Sequence, residues 1–505
     1  MTPKRVLECT IVDVNSWLGA DVPRSRSVGI DELRASQRKY GIAHSLVRAR
    51  AAVAVDRSRG NAEVQGLVGE RGISVLATAT RFHLSQLRGD LSAVLSRGGV
   101  GVWVEPGSWL SASIALDELF AVAASFGVPL LAPCRRDGEA TVLGALAERH
   151  GVATVLVDAR YPHFTDVLAA MERFDLLYIE TSSLGSYRAI EMFVSRFGAA
   201  RVLFGSGAPV GTPRSPLDAI LWSRLSDEDR RAILGGNAMR LFALGELASG
   251  RIDSIFPECV FDVHAHFFPV PLELPETPGS FLADRPEMPI VSAVSSSLPA
   301  IMGDLERGNE EAIRIARDQP GQFVYLVVNP NDPHLAVDQL RRWGDDERVL
   351  GAKIHAEWSN LHTRSRRVAE VFEVLAPFRR PVLLHNVGDG WEDALIEIAL
   401  RHPDLPIIIA HGGYHRPMPS SARVVALTPN VYVELASSKA DFRDAAELVA
   451  TVPAERLLFG SDAPLIEPSF VLGLYRDLEL KDPAAVYRGN AERVFQRSIG
   501  VTAAR

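Results

Sequence analysis

Apolar residues along this chain fall in short unbroken runs separated by longer amphipathic stretches. FVYLVV (Phe323 to Val328), PVLLH (Pro381 to His385), LPIIIA (Leu405 to Ala410), VYVEL (Val431 to Leu435) and RLLFG (Arg456 to Gly460) are such runs. Strands buried on both faces of a parallel sheet read this way, rich in β-branched residues and without polar alternation. Between the runs lie helical stretches such as WEDALIEIALRH, Trp391 to His402, with an apolar stripe at helical spacing. Alternating strand and helix predicts a parallel sheet covered by helices.

The pattern is written twice. RVLFGSGAP (Arg201 to Pro209) returns as RLLFGSDAP (Arg456 to Pro464), identical at all but two positions. ECTIVDVN (from Glu8) is echoed by ECVFDVH (from Glu258), VPLLAP (from Val128) by RPVLLH (from Arg380), and YIETSS (from Tyr178) by YVELAS (from Tyr432). RGN at Arg59 recurs at Arg307, and GNAMRLF at Gly236 recurs as GNAERVF at Gly489. All these pairs keep one order and stand 248 to 255 residues apart, which marks a tandem duplication. Each half has the roughly 250 residues usual for a (β/α)₈ barrel. The expected fold is therefore α/β, two tandem TIM-barrel-like domains over residues 1–250 and 256–505, linked near Glu246 to Glu258. The alternative is a pair of doubly wound open sheets, but neither half has a Gly-rich phosphate loop after its first strand. The Pro-rich passage from His266 to Pro289 predicts a long loop over the second barrel's mouth.

Composition narrows the class. A chain of 505 residues with 47% apolar and 23% charged residues suits two soluble cores. Its formal charge of −8 comes without a basic stripe, which argues against nucleic acid. The apolar runs are too short for a bilayer, and the first residues lack a signal-peptide core. Cys9, Cys134 and Cys259 have no metal-ligand spacing. A reduced, cytoplasmic protein without membrane or nucleic-acid partners is expected.

The two copies disagree where strands end, which is where barrel enzymes carry their chemistry. DVHAH supplies His264 and His266 where the first copy has Asn15 and Trp17. Residues two apart on a strand point to one side, so both imidazoles can reach one ion. His385 stands against Pro133, His411 against Asp158, and Asp462 against Gly207. On the fourth strand GAKIH offers Lys353 and His355 against Trp103 and Glu105. The first copy reads as a barrel whose metal site has been lost.

His-x-His on the first strand, a His on the fifth, a His on the sixth and an Asp on the eighth resemble the amidohydrolase superfamily. The GSDAP and GNAERVF phrases are similar to its amidohydrolase-related branch. The resemblance implies one or two divalent metals and hydrolysis of amides, esters or lactones, or in some members decarboxylation of aromatic or dienoic acids. It implies His264, His266, His385 and Asp462 as metal ligands, with Lys353 joining them if carboxylated. Imidazole and carboxylate ligands suit Zn²⁺, with Mn²⁺ or Fe²⁺ as alternatives. Such an ion lowers the pKa of a bound water to about 7. Asp462 would then relay its proton, and His411 would polarise the carbonyl.

His355 and Arg416 are candidates to bind substrate, and Glu357, Trp358, Arg364, Trp391, His415 and Lys439 are placed around the same mouth. Several cations there suit a small acid or lactone. His334, His362 and His402 are assigned to surface or helix ends. The first half is expected to act as the partner subunit of an intramolecular pseudo-dimer. The alternatives are a binding module, or separate chemistry at Asp13, Glu105, Asp158 and Glu180. The leading function is a metal-dependent hydrolase of a small amide, ester or lactone. A metal-dependent decarboxylase and a non-catalytic scaffold are the competing readings.

Overall fold

Two curled sheets, parallel but for the edge strand Arg26–Val28 that pairs antiparallel in the first, carry the chain, and the computed structural model describes residues 3–21, 26–80, 84–104, 114–268, 279–414, 416–437 and 440–496. In the N-terminal unit, Arg5–Ser254, successive strands are Val12–Asp21, His44–Ala49, Ile73–Ala79, Gly101–Val104, Leu130–Pro133, Thr154–Val157, Leu177–Glu180 and Val202–Leu203. Each pairs in parallel with the next. In the C-terminal unit, from Ile255 onward, the strands are Val260–Phe267, Ile290–Ser297, Gln322–Val328, Val349–His355, Val382–His385, Ile407–Ile409, Val431–Glu434 and Leu457–Leu458. They too pair in parallel and in sequence order.

Both sheets curl until the segment after the last strand meets the first strand. Val14 N donates to Phe204 O at 3.1 Å, and Val263 N donates to Phe459 O at 2.9 Å. The five strands read from apolar runs lie where the sequence predicts, as does the helix Trp391–Arg401, which buries Trp391, Leu395, Ile398 and Ala399. These are two TIM-barrel-like domains.

The repeated phrases are explained by what they hold together. Phe261, Val263, Tyr325, Leu383, Ile408 and Leu458 fill the second barrel beside Val494 and Phe495 of its final helix. Val12, Val14, Leu46, Leu131, Val155 and Leu203 do the same in the first beside Ala238 and Phe242. Burying one such Phe side chain contributes about 2–3 kcal/mol. The Asn of each GNA phrase anchors that final helix. Asn490 Nδ2 donates to Ala454 O and Leu457 O at 2.7 Å each, and Asn237 Nδ2 donates to Ala199 O and Val202 O at 2.7 Å each. The Asn of each RGN phrase locks a helix to the third strand, Asn61 on Thr78 and Asn309 on Val327.

The link between halves is not simply a connector: Gly250–Ile255 is a strand that pairs with Lys4–Cys9 in a separate two-stranded sheet. Of the Pro-rich passage, residues 269–278 lie outside the described residues, and the remainder contains the short helix Phe281–Asp284. Among the described residues no helix is long and apolar enough to cross a membrane.

Candidate metal centre

Parallel strands end together, so residues distant in sequence meet above the second barrel's core. His264 and His266 lie on the first strand, Lys353 and His355 on the fourth and His385 at the end of the fifth. His411 follows the sixth strand in a tight turn, and Asp462 follows the eighth. Both hold left-handed backbone, His411 at φ 58° and Asp462 at φ 62°. Non-glycine residues in that region store strain of order 1–3 kcal/mol and cluster at functional sites.

His264 Nε2 is 3.3 Å from Asp462 Oδ1, and His266 Nε2 is 3.0 Å from the same oxygen. Lys353 Nζ lies 3.2 Å from His264 Nε2. The ligand atoms of His264, His266 and Asp462 lie within 4.8 Å of one another. The His411 ring lies tilted against that of His264, with centroids 4.8 Å apart. His385 does not join that trio. Its ring lies 3.9 Å from the ring of His355, nearly parallel, and its Nε2 is 3.5 Å from Glu357 Oε2. A second trio, His355, Glu357 and His385, results.

The far ring nitrogens are engaged by the scaffold. His264 Nδ1 meets Glu434 Oε1 at 2.9 Å, His266 Nδ1 meets Ser296 Oγ at 3.0 Å, and His411 Nδ1 donates to Ala436 O at 2.7 Å. Such contacts fix ring orientation and tautomer and leave Nε2 for a ligand. Burial, with Lys353 and the neighbouring imidazoles adding to it, holds His264 well below its ordinary pKa, so it is neutral. Burial alone would raise Asp462, but the hydrogen bond from His266 and the charges of His411 and Lys353 outweigh it and keep the carboxyl low. A neutral His264 imidazole beside an ionised Asp462 carboxylate fits the donor set of a divalent cation. Burial also lowers Lys353 to about 8.

Glu434, at the end of the seventh strand, was missed by sequence reasoning although YVELAS contains it. It is fully buried, and burial pushes its carboxyl up to about 8. Its oxygens accept the backbone N–H groups of His411 and Ala436, each at 2.6 Å. One side chain thus aligns both His264 and the strained turn of His411. Gly460 exists to admit it: a Cβ there would stand 2.6 Å from Glu434 Oε2 and 2.9 Å from His264 Cβ. Ser461 secures the next step by bonding the carboxylate of Asp262 through N and Oγ. The signal available was the repeat itself, since Glu180, Gly205 and Ser206 stand at the matching places.

Other expected site residues are more dispersed. Trp358 and Arg416 are exposed, Arg364 lies exposed beside Gly390, and His415 and Lys439 fall outside the described residues. Trp391 is only 2% exposed and packs inward at the start of its helix. His402 ends the same helix as expected. Cys134 is fully buried, which raises its thiol far above the ordinary value and keeps it from nucleophilic use.

The amidohydrolase family matches the chain twice, over residues 30–244 and 261–497. The chain belongs to that family, in tandem form. It is thereby an enzyme of the amidohydrolase superfamily. Among solved structures, it is similar to 2,6-dihydroxybenzoate decarboxylase from Rhizobium, with 16% identity, 48% of this chain and 99% of that one covered, and a TM-score of 0.39. It is also similar to 5-carboxyvanillate decarboxylase from Sphingomonas paucimobilis, with 14% identity, 48% and 100% covered, and a TM-score of 0.38. A candidate 2-pyrone-4,6-dicarboxylic acid hydrolase from Pseudomonas putida shares 16% identity, with 47% and 98% covered and a TM-score of 0.39. No curated protein sequence matches the chain.

Proposed function

We propose that the second barrel is a metal-dependent hydrolase of a small amide, ester or lactone. The observation that carries the reading is the convergence of His264 Nε2, His266 Nε2 and Asp462 Oδ1 within 4.8 Å, with Lys353 Nζ beside them. These residues would hold the ion, Zn²⁺ by ligand type with Mn²⁺ or Fe²⁺ as alternatives. A divalent ion there supplies Lewis acidity and acidifies water.

The chain's own groups supply the rest. Asp462, ionised at neutral pH, accepts a proton at Oδ and returns it to the leaving atom. His411 donates Nδ1–H to Ala436 O. Its Nε2 therefore carries a proton toward a substrate oxygen only as imidazolium, and the carbonyl-polarising role belongs to that form. Glu434 and Ser296 orient the imidazoles without touching substrate. Lys353, with its amine lowered to about 8, has a neutral fraction near physiological pH, the form that adds CO₂ to become a carbamate ligand. That fraction favours hydrolysis over decarboxylation in this reading. Arg416 is assigned to an anionic group of the substrate.

The first barrel is read as a degenerate copy that stands in for a partner subunit, and the whole chain as cytoplasmic. Incubating the metal-loaded protein with a panel of lactones, esters, amides and aromatic acids tests the reaction class. Proton release without CO₂ is the expected result. CO₂ release without a hydrolysis product would replace the hydrolase by the decarboxylase.

A further inference from the structure

The pocket of the second barrel has two foci of ligand atoms, and the proposed reaction uses only one. His355 and His385 sit opposite each other at the ends of neighbouring strands, in direct register. Their rings lie face to face, 3.9 Å apart at 15°. Glu357, two residues beyond His355, brings a carboxylate oxygen to 3.5 Å from His385 Nε2. The ligand atoms of all three lie within 4.8 Å of one another. Two imidazoles and one carboxylate form a ligand set that leaves open positions on a divalent ion.

We propose that His355, Glu357 and His385 hold a second divalent cation, distinct from the one at His264, His266 and Asp462. The inference rests on reading this pocket as a metal centre, and it assigns the second ion to a place that needs no modified lysine. His264 and His266 are buried at 0% and 2% exposure, whereas the Glu357 side chain is 45% exposed. The second ion therefore lies toward solvent, where it meets an arriving substrate first. Its open positions would take an anionic oxygen, so the ligand class is a small carboxylate or the carbonyl of a lactone bearing one. His385 also touches His411, with ring centroids 4.8 Å apart, which places the two foci side by side in one pocket. The first barrel has Pro133 where His385 stands and no counterpart of the pair.

Elemental analysis of the full chain tests this, after Zn²⁺ loading and removal of free metal. The wild type is expected to retain two ions, and the variant His355→Asn/Glu357→Gln one. Glu357→Gln alone, at a half-exposed site where folding is not at risk, is expected to lose the second ion on mild chelation while the wild type keeps it. Two ions retained by both variants would overturn the proposal and return the second ion to a carboxylated Lys353. One ion in the wild type, removed by His264→Asn but not by Glu357→Gln, would overturn this inference and leave the proposed function standing. No ion in the wild type would defeat both.

Discussion

The two barrels share a frame down to single hydrogen bonds and differ in what the frame encloses. In the second, Asp262 accepts His264 N and Ser461 N, each at 3.0 Å; in the first, Asp13 accepts Asn15 N at 3.0 Å and Ser206 N at 2.9 Å. Glu434 orients His264, and Glu180 accepts from Asn15 Nδ2 at 3.3 Å. Gly205 is needed as Gly460 is, because a Cβ there would fall 2.1 Å from Glu180 Oε2. Even the left-handed turns persist, with Asp158 at φ 54° and Gly207 at φ 67°. What changes is the filling. Where the second barrel has Ser296 and Lys353, the first has Arg48 stacked 3.5 Å over the Trp103 ring, with Arg48 Nη1 donating to Asn15 Oδ1 at 2.8 Å. Asp158 is held by Arg135 and Arg160. The carboxylates once considered for separate chemistry in the first barrel are thus occupied in holding its structure, apart from Glu105, which lies outside the described residues. The comparison teaches that one barrel frame accommodates either a cluster of imidazoles with a carboxylate or a cation–π plug.

The sharpest break of the comparison is at the carboxylate the first copy lacks. Asp462→Asn is expected to lower kcat by about 10²–10⁴, the range for a lost proton relay, with near-normal melting; steady-state kinetics and calorimetry read the two effects. A pH series addresses the shared buried carboxyl. Burial raises Glu180 from 4.5 to about 7, so its stabilisation is complete below 4.5 and is lost as pH rises through 7. The loss is on the order of 3 kcal/mol across that window. Denaturant unfolding, followed by hydrogen exchange in the first barrel, is expected to show that decline, and Glu180→Gln is expected to flatten it. Retention of the full slope in Glu180→Gln would assign it elsewhere.

Gly460→Ala and Gly205→Ala sharpen the likeness instead. Each forces a Cβ against a buried glutamate, and overpacking of this kind costs about 1–3 kcal/mol. Comparable losses are expected in both barrels, with activity falling only for Gly460→Ala. The smallest effect concerns strain. Asp462→Gly relieves left-handed backbone and is expected to raise stability by about 1 kcal/mol while abolishing turnover. Gly207→Asp is expected to cost a similar amount without creating a metal site.

Much of this was legible in the sequence because a repeat reports its own exceptions. Apolar runs such as LPIIIA gave the strands, since buried parallel strands tolerate no polar alternation. The changed residues at strand ends picked out His264, His266, His385, His411 and Asp462. Glu434 and Ser296 escaped for the opposite reasons. Glu434 is unchanged between copies and so is not among the repeat's exceptions, and Ser296 lies in a run of serines with no chemical signature. The split of His385 from the His264 focus depends on side-chain placement above neighbouring strands, which linear spacing does not encode. That Trp391 turns its ring inward at a helix start is likewise not encoded in its position along the chain.

The most direct test of the central claim is anomalous diffraction from crystals of the full chain, grown with Zn²⁺ or Mn²⁺ and recorded at the metal's absorption edge. The account predicts scattering beside His264, His266 and Asp462, and none beside Asn15, Trp17 and Gly207. Scattering in the first barrel, or none in either, would contradict it.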